Sequence, residues 1–198
     1  MFDIESIKKK LSKNYILNKI IFFKKIESTN KFLKERNFSS GTIILAEKQS
    51  GSYGKLGVKW YSPKGGLWFS FVINKKIKKP YKYLMTVSVA VVKTLRTYKI
   101  KALIKKPNDI LIDGKKVCGI LLENDFYIGK VVVGVGLNVN NKVPSNTNIP
   151  AISIKQTLKK KIDLNEIFVR LIGVIDKYLK KDKNTIDKYW KKYLIKIF

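Results

Sequence analysis

An α+β fold, with helices packed on one side of a mixed, mainly antiparallel sheet, is what the sequence predicts, and three features carry the prediction. Strand-like apolar runs follow one another closely between Ala102 and Val139, so that neighbours in sequence pair as hairpins. Asp113-Gly114 separates two of these runs, and that dipeptide enters the positive-φ backbone of a tight turn at low cost. Helix-period patterns lie on either side of the block, mixed with further strands at the N-terminal end, an order that argues for α+β.

From Ile4 to Leu11 apolar residues recur at helical spacing among lysines, and Lys19–Ile26 reads as a strand through Ile20, Ile21, Phe22 and Phe23. Ser28-Thr29-Asn30 introduces a helix over Lys31–Arg36, since a capping oxygen can take the free amide protons of a first turn. Gly41–Ala46 is the next strand. Residues 49–66 (QSGSYGKLGVKWYSPKGG) hold five of the twelve glycines, too many for a stable helix and too polar for a core strand, and predict a long loop. Leu67–Ile73 (LWFSFVI) predicts a buried strand, and Pro80–Tyr98 a helix through Leu84, Val87, Val91 and Leu95. Ala102–Lys105, Asp109–Ile112 and Lys115–Glu123 are the hairpin strands, and Lys130–Val139 continues the sheet. After Pro150 the pattern turns helical, with Leu164–Leu179 and Thr185–Ile197 closing a chain in which no repeat or linker is visible; one domain over residues 1–198 is expected.

With 198 residues and 45% hydrophobic content the chain can fill a core, which argues against a disordered polymer. A formal charge of +28 would by itself suggest nucleic acid, because clustered cations displace counterions from phosphates. The lysines, however, are spread from Lys8 to Lys196, and Arg36, Arg96 and Arg170 are the only arginines. Arginine carries the fork that reads phosphate and guanine, so the composition points to general lysine bias, and nucleic acid is not expected as a partner. Histidine is absent and Cys118 is the single cysteine, which excludes an internal disulfide, the usual zinc sites, and Ser-His-Asp or Cys-His catalysis. Chemistry falls to lysine, carboxylates, amides and backbone. The start, MFDIESIKKK, lacks a signal-peptide core, and no apolar run approaches the roughly 18 residues of a membrane span; a cytoplasmic protein with no membrane partner is expected.

Four stretches could carry chemistry, and each has an ordinary structural reading beside the functional one. The glycine-rich loop lets backbone amides approach a phosphate, with Lys55 and Lys59 nearby, or is a flexible surface loop; it lacks the Gly-Lys-Ser/Thr of a Walker motif. Lys105-Lys106-Pro107-Asn108-Asp109 offers amines and hard oxygens suited to a magnesium nucleotide, or is a plain turn between strands. In Lys115–Glu123, alternation puts Lys116, Cys118 and Ile120 on one face, so that Lys116 points into a pocket or lies at the strand's solvated end. Gly119 within the same strand can leave room for a ligand. Gly134-Val135-Gly136-Leu137-Asn138 places two glycines in a strand, for close approach of a flat ligand or for a bulge.

In this order and spacing the stretches resemble the catalytic domain of biotin protein ligases, over about Ser28 to Ser153. The resemblance rests on Ser28-Thr29-Asn30, on Gln49 to Trp60 with Ser62-Pro63 and Gly65-Gly66-Leu67-Trp68-Phe69-Ser70, and on Pro107-Asn108-Asp109. Lys116-Val117-Cys118-Gly119-Ile120-Leu121 and Gly134-Val135-Gly136-Leu137-Asn138 complete it. It implies a class II synthetase-like fold and biotin, ATP and Mg2+ as ligands. It also implies a reaction in two steps, in which biotinyl-5'-AMP is formed and biotin then passes to a lysine of a biotin carboxyl carrier protein. By the resemblance Ser28, Thr29, Asn30, Gln49, Ser52 and Tyr53 would line the biotin site together with Gly66, Gly119 and Gly134. Lys116 would meet both the biotin carboxylate and the reacting phosphate as a catalytic residue, with Lys55, at the position of a loop arginine, retaining the adenylate. Lys105, Asn108, Asp109 and Asn138 would meet nucleotide or magnesium and Trp60 would enclose the adenine, while no residue set marks a metal held by the protein alone. Members of this family often pair through sheet edges, which makes a homodimer an expectation.

The sequence departs from the family pattern in three places. The family loop reads roughly Gly-Arg-Gly-Arg-x-Gly-Arg, where this chain has Ser52-Tyr53-Gly54-Lys55-Leu56-Gly57-Val58. Lysine lacks arginine's bidentate fork, so weaker retention of the adenylate is expected. Lys106 stands where the family has tryptophan. Neither an N-terminal DNA-binding helical domain nor a small β-barrel after the catalytic domain is expected, and therefore no repressor activity. The lipoate and octanoate ligases share the fold in outline, but their motif needs a histidine. A degenerate binding module that has lost transfer is the remaining alternative, and retention of Lys116 and Pro107-Asn108-Asp109 argues against it.

Overall fold

The chain is described by a computed structural model over residues 2–11, 13–74, 80–144 and 150–195. In chain order it forms α1 (Ile4–Lys10), β1 (Lys19–Phe23), α2 (Thr29–Lys34), β2 (Thr42–Ala46), β3 (Leu67–Asn74), α3 (Tyr81–Thr97) and β4 (Ala102–Lys105). There follow β5 (Asp109–Ile112), β6 (Lys115–Asp125), β7 (Lys130–Leu137), α4 (Ile154–Leu158), α5 (Leu164–Leu179) and α6 (Lys183–Tyr193). The seven strands make a sheet in the order β1-β2-β3-β7-β6-β5-β4. Only β1 and β2 run parallel, because α2 carries the chain across between them; every other neighbouring pair is antiparallel. The turn between β5 and β6 has Asp113 at φ 47° and Gly114 at φ 74°, as the Asp-Gly pair requires.

Strand alternation divides the sheet into two unlike faces. Phe69, Phe71, Val131, Val133 and Ile120 point to one face, where they meet buried residues of α1, α3, α5 and α6 in the main core. Ile44, Val72 and Val132 point to the other, where Leu33 of α2 closes a smaller cluster flanked by Phe23, Phe32 and Phe38. Helices on one side thus describes α1, α3, α5 and α6, whereas α2 packs on the opposite face, and the rest of that face is left for the site.

A buried lysine secures α2. Lys130 is 6% exposed and its Nζ donates to the carbonyls of Lys34 (2.9 Å), the last residue of the helix, and of Arg36 (2.7 Å), just beyond its C-cap. Burial lowers the Lys130 pKa from the ordinary 10.5, with Asp125 acting the other way. The folded state therefore binds fewer protons between the lowered value and 10.5, and this residue's contribution to stability rises as pH climbs through that window. Lys130→Met is expected to cost about 1–3 kcal/mol by leaving two carbonyls unpaired. It should also remove the alkaline rise, both read by urea unfolding across pH.

Several boundaries differ from expectation for local reasons. β1 stops at Phe23 because the exposed Lys24 and Lys25 interrupt the ladder, and Ile26 rejoins only as a bridge to Gln49. The helix after β1 begins at Thr29 and ends at Lys34, so Asn30 lies inside it. α4 carries a capping box in which the Ser153 hydroxyl accepts from Gln156 N while Gln156 accepts from Ser153 N. α6 ends at Tyr193, after which Ile195 N donates to Ile104 O on the β4 edge. Residues 196–198, the end of the helix expected over Thr185–Ile197, lie outside the described residues.

Candidate active site

The floor of the site is a patch of sheet built around three glycines, Gly119, Gly134 and Gly136. Gly119 of β6 pairs with Gly136 of β7, and Leu121 with Gly134. A Cβ on Gly134 would stand 2.1 Å from Asn30 Oδ1, and one on Gly136 2.5 Å from Trp60 Nε1. The glycines therefore serve close approach, of the Asn30 amide and of the Trp60 ring. No bulge is needed there.

A bulge does exist where alternation predicted none. Ile110 of β5 pairs with Cys118 but Leu111 pairs with Lys116, which leaves Val117 as an extra residue. Cys118 and Ile120 keep to the helix side in the main core, while Lys116 is transferred to the glycine face. The expectation that these three share a face is corrected accordingly, and the pocket reading of Lys116 holds. Its Nζ is 2.7 Å from Asp109 Oδ1 and 5.0 Å from the centre of the Trp60 ring, and its stem crosses Gly119. Segment 150–152 fixes its backbone: Lys116 N donates to Pro150 O (2.7 Å) and Ile152 N to Lys116 O (3.0 Å). Burial pushes the Cys118 thiol well above its usual range, so the sole cysteine is no nucleophile.

One wall is polar and comes from α2, β3 and the loop. Ser28 caps α2 by accepting from Lys31 N. Thr29 N donates to Gln49 Oε1 at 2.8 Å, and the Thr29 hydroxyl lies 2.7 Å from Ser70 Oγ and 3.1 Å from Gln49 Oε1. Gln49 Nε2 donates to Ser62 Oγ (3.0 Å), and Ser52 lies between Ser62 Oγ (2.7 Å) and Trp60 O (2.8 Å). These bonds, with a bridge between Tyr53 and Lys59, give the expected long loop a definite path over the floor. Lys55 and Leu56 form a short turn at its outer edge. On the far side Asn30 Nδ2 donates to Glu123 Oε2 at 2.8 Å, Tyr53 OH reaches the same carboxylate at 3.3 Å, and Lys34 Nζ pairs with it at 2.7 Å. Burial and then the Glu123 charge raise the Tyr53 phenol pKa, which keeps its hydroxyl a donor.

The half-open cavity measures about 270 Å³, just under the roughly 300–1,000 Å³ of small-molecule pockets, with Trp60 and Lys116 taking part of the space. Every expected site residue lines it except three: Gly66, Lys105 and Asn138. Gly66 lies under the Trp68 indole, whose Nε1 donates to Pro63 O; a Cβ there would be 2.0 Å from the ring. Lys105 ends β4 and faces solvent. Asn138 is buried in the turn after β7, its N donating to Val117 O (2.8 Å) and its Oδ1 accepting from Asn141 Nδ2 (3.0 Å). Asn108 does reach the cavity, donating to Ile120 O at 2.9 Å from a turn with a cis Lys106–Pro107 bond. Ser70 and Glu123 were not foreseen as site residues, whereas Gly136 was expected only as one of two strand glycines that allow close approach. A serine within LWFSFVI and a carboxylate closing the apolar run of β6 were legible signals for the first two.

Residues 22–140 match the profile of the biotin/lipoate A/B protein ligase family. The chain is 31% identical over 195 residues to the bifunctional ligase/repressor BirA of Bacillus subtilis, covering 90% of this chain and 60% of that protein. It is 32% identical over 139 residues to biotin–protein ligase 1, chloroplastic, of Arabidopsis thaliana, covering 64% of this chain and 38% of that one. The chain thus spans less than two thirds of either relative. Among solved structures, the biotin protein ligase from Aquifex aeolicus in complex with biotin and ATP superposes with a TM-score of 0.83 at 30% identity, covering 89% of this chain and 78% of that chain.

Proposed function

The chain belongs to the biotin/lipoate A/B protein ligase family, and from that premise we propose that it is a biotin–protein ligase that uses Mg-ATP to form biotinyl-5'-AMP and passes biotin to a lysine of a biotin carboxyl carrier protein, in the cytoplasm. The observation that carries the reading is the placement of Lys116. Its ammonium is fixed beside the Trp60 ring above the glycine floor, in the cavity that the polar wall of Thr29, Gln49 and Ser70 shares with the Asn108-Asp109 turn.

The polar wall suits the ureido group, which needs donors and acceptors side by side, and the floor suits the flat bicycle and the chain that follows it. In the first step a biotin carboxylate oxygen bonds to the α-phosphorus of ATP, and the bond to the β,γ-phosphates breaks with its electron pair on pyrophosphate. Two anions must approach, and the Lys116 charge offsets that repulsion as it grows toward the transition state. Asp109 orients the lysine through the 2.7 Å ion pair. In the second step the carrier amine attacks the acyl carbon, AMP leaves, and the amine loses its proton. Trp60 offers a ring face, and an indole Nε1 that is buried without a partner among the described residues, to the adenylate.

Among the described residues no three of His, Cys, Asp and Glu stand together as a metal site. Asn108 and Asp109 supply hard oxygens at the phosphate end, which fits magnesium carried in by the nucleotide and finished by phosphate and water. Bound there, the ion would neutralise phosphate charge. The test is one incubation of the protein with biotin, Mg-ATP and a carrier domain, following biotin on the acceptor lysine by mass spectrometry. Tight biotin binding without transfer would overturn the ligase reading in favour of a binding module.

The +28 charge supports electrostatic steering of an acidic carrier. Raising salt from about 0.05 to 0.3 M, which roughly halves the screening length, should raise KM for the carrier several-fold and leave KM for biotin unchanged. A flat carrier KM would refute steering.

A further inference from the structure

The wall of the pocket contains a hydrogen-bond chain whose direction is set at one end by a charge. Asn30, Ser70 and Thr29 are buried, Ser70 completely, so their protons must find acceptors within the wall, on one another, on Glu123 or on Gln49. A carboxylate only accepts, so Glu123 forces the Asn30 amide to turn its Nδ2 outward, where it donates at 2.8 Å. Asn30 Oδ1 then faces the pocket and takes the Ser70 hydroxyl proton. With its proton committed, Ser70 Oγ can only accept, and the Thr29 hydroxyl, 2.7 Å away, shares its one proton between Ser70 Oγ and Gln49 Oε1 at 3.1 Å. Ser70 is thereby left with lone pairs and no proton for whatever enters.

We propose that Glu123 is a positioning residue that sets the direction of this chain, so that Ser70 and Thr29 present acceptors to the N–H groups of a cyclic urea. The inference rests on reading the pocket as a biotin site. Glu123 lies beyond Asn30 and acts on the ligand through it. It also latches the loop through Tyr53, which occupies the place of the first arginine in the family pattern. A neutral amide at position 123 could turn either way. It would let Asn30 flip and Ser70 donate, which places a hydroxyl proton against the ligand's N–H.

Glu123→Gln keeps the shape and removes the direction. Titration calorimetry with biotin should show affinity about tenfold weaker, the effect of one buried hydrogen bond turned the wrong way. KM for ATP should stay within twofold. Lys34→Met deletes the ion pair at 2.7 Å but spares the carboxylate, and should leave biotin affinity within twofold. The double variant Glu123→Gln with Asn30→Asp moves the obligate acceptor one place inward, obliges Ser70 to donate again, and should recover most of the lost affinity. The proposal is overturned if Glu123→Gln binds biotin like the parent, if it raises KM for ATP as much as it weakens biotin, if Lys34→Met loses as much, or if the double variant shows no recovery. Failure of the parent protein to bind biotin would instead overturn the reading of the pocket, and with it the premise.

Discussion

Replacing Lys116 by methionine is expected to lower biotin-dependent ATP–pyrophosphate exchange by roughly a hundred- to a thousandfold, the range seen when a preorganised charge or donor is removed from a developing anion. The magnitude follows from its isolation at the reacting centre. Among the described residues, the other lysines that line the cavity are Lys55 and Lys59, which sit in the exposed loop. Lys116 alone is held from two sides, by Asp109 at 2.7 Å and by backbone bonds to Pro150 and Ile152. Methionine keeps the stem that covers Gly119 and removes the charge, so folding should survive and kcat should take the loss. Biotin affinity should change far less, because the polar wall is untouched. A reduction below about tenfold would move the catalytic charge elsewhere, with Lys55 the next to test.

Gly134→Ala is expected to weaken biotin binding by roughly ten- to a hundredfold while leaving the protein folded, as overpacking commonly costs about 1–3 kcal/mol. The new methyl would lie 2.1 Å from Asn30 Oδ1 and 2.9 Å from its Cγ. Asn30 cannot swing away freely, being held by Ser70 on one side and Glu123 on the other, so the strain passes into the wall that would hold the ureido group. Calorimetry against biotin reads the loss, and thermal unfolding checks that the sheet persists. Unchanged affinity would show that Asn30 yields without cost and that the wall is not preorganised.

Much of this site was legible in the sequence because its parts are turns, caps and glycines, whose roles are local. Ser28-Thr29-Asn30 reads as a helix start, and it is one. Asp113-Gly114 reads as a hairpin turn, and its backbone angles agree. The glycine-rich loop, the Asn108-Asp109 turn and the Gly134–Gly136 strand were each recognisable as unusual, and all three border the cavity. The loop's ordered path, by contrast, depends on Gln49 reaching Thr29 of α2 and on Gln49, Ser52 and Ser62 meeting one another across ten or more residues of the loop.

The sequence by itself determined the strand and helix order, the hairpins and the apolar faces, since these follow from period and from turn chemistry within a few residues. It also marked Lys116 as a charge in an apolar strand. Only the tertiary structure decided which way that charge points, because the answer depends on one extra residue in β6 relative to β5, and pairing register is a property of two strands together. The same holds for Gly66 and Asn138, where burial under Trp68 and capture by Asn141 removed two expected residues from the cavity. Glu123 likewise gains its meaning from partners 93, 89 and 70 positions away in the chain, a distance at which local pattern carries no information and packing alone brings the groups together.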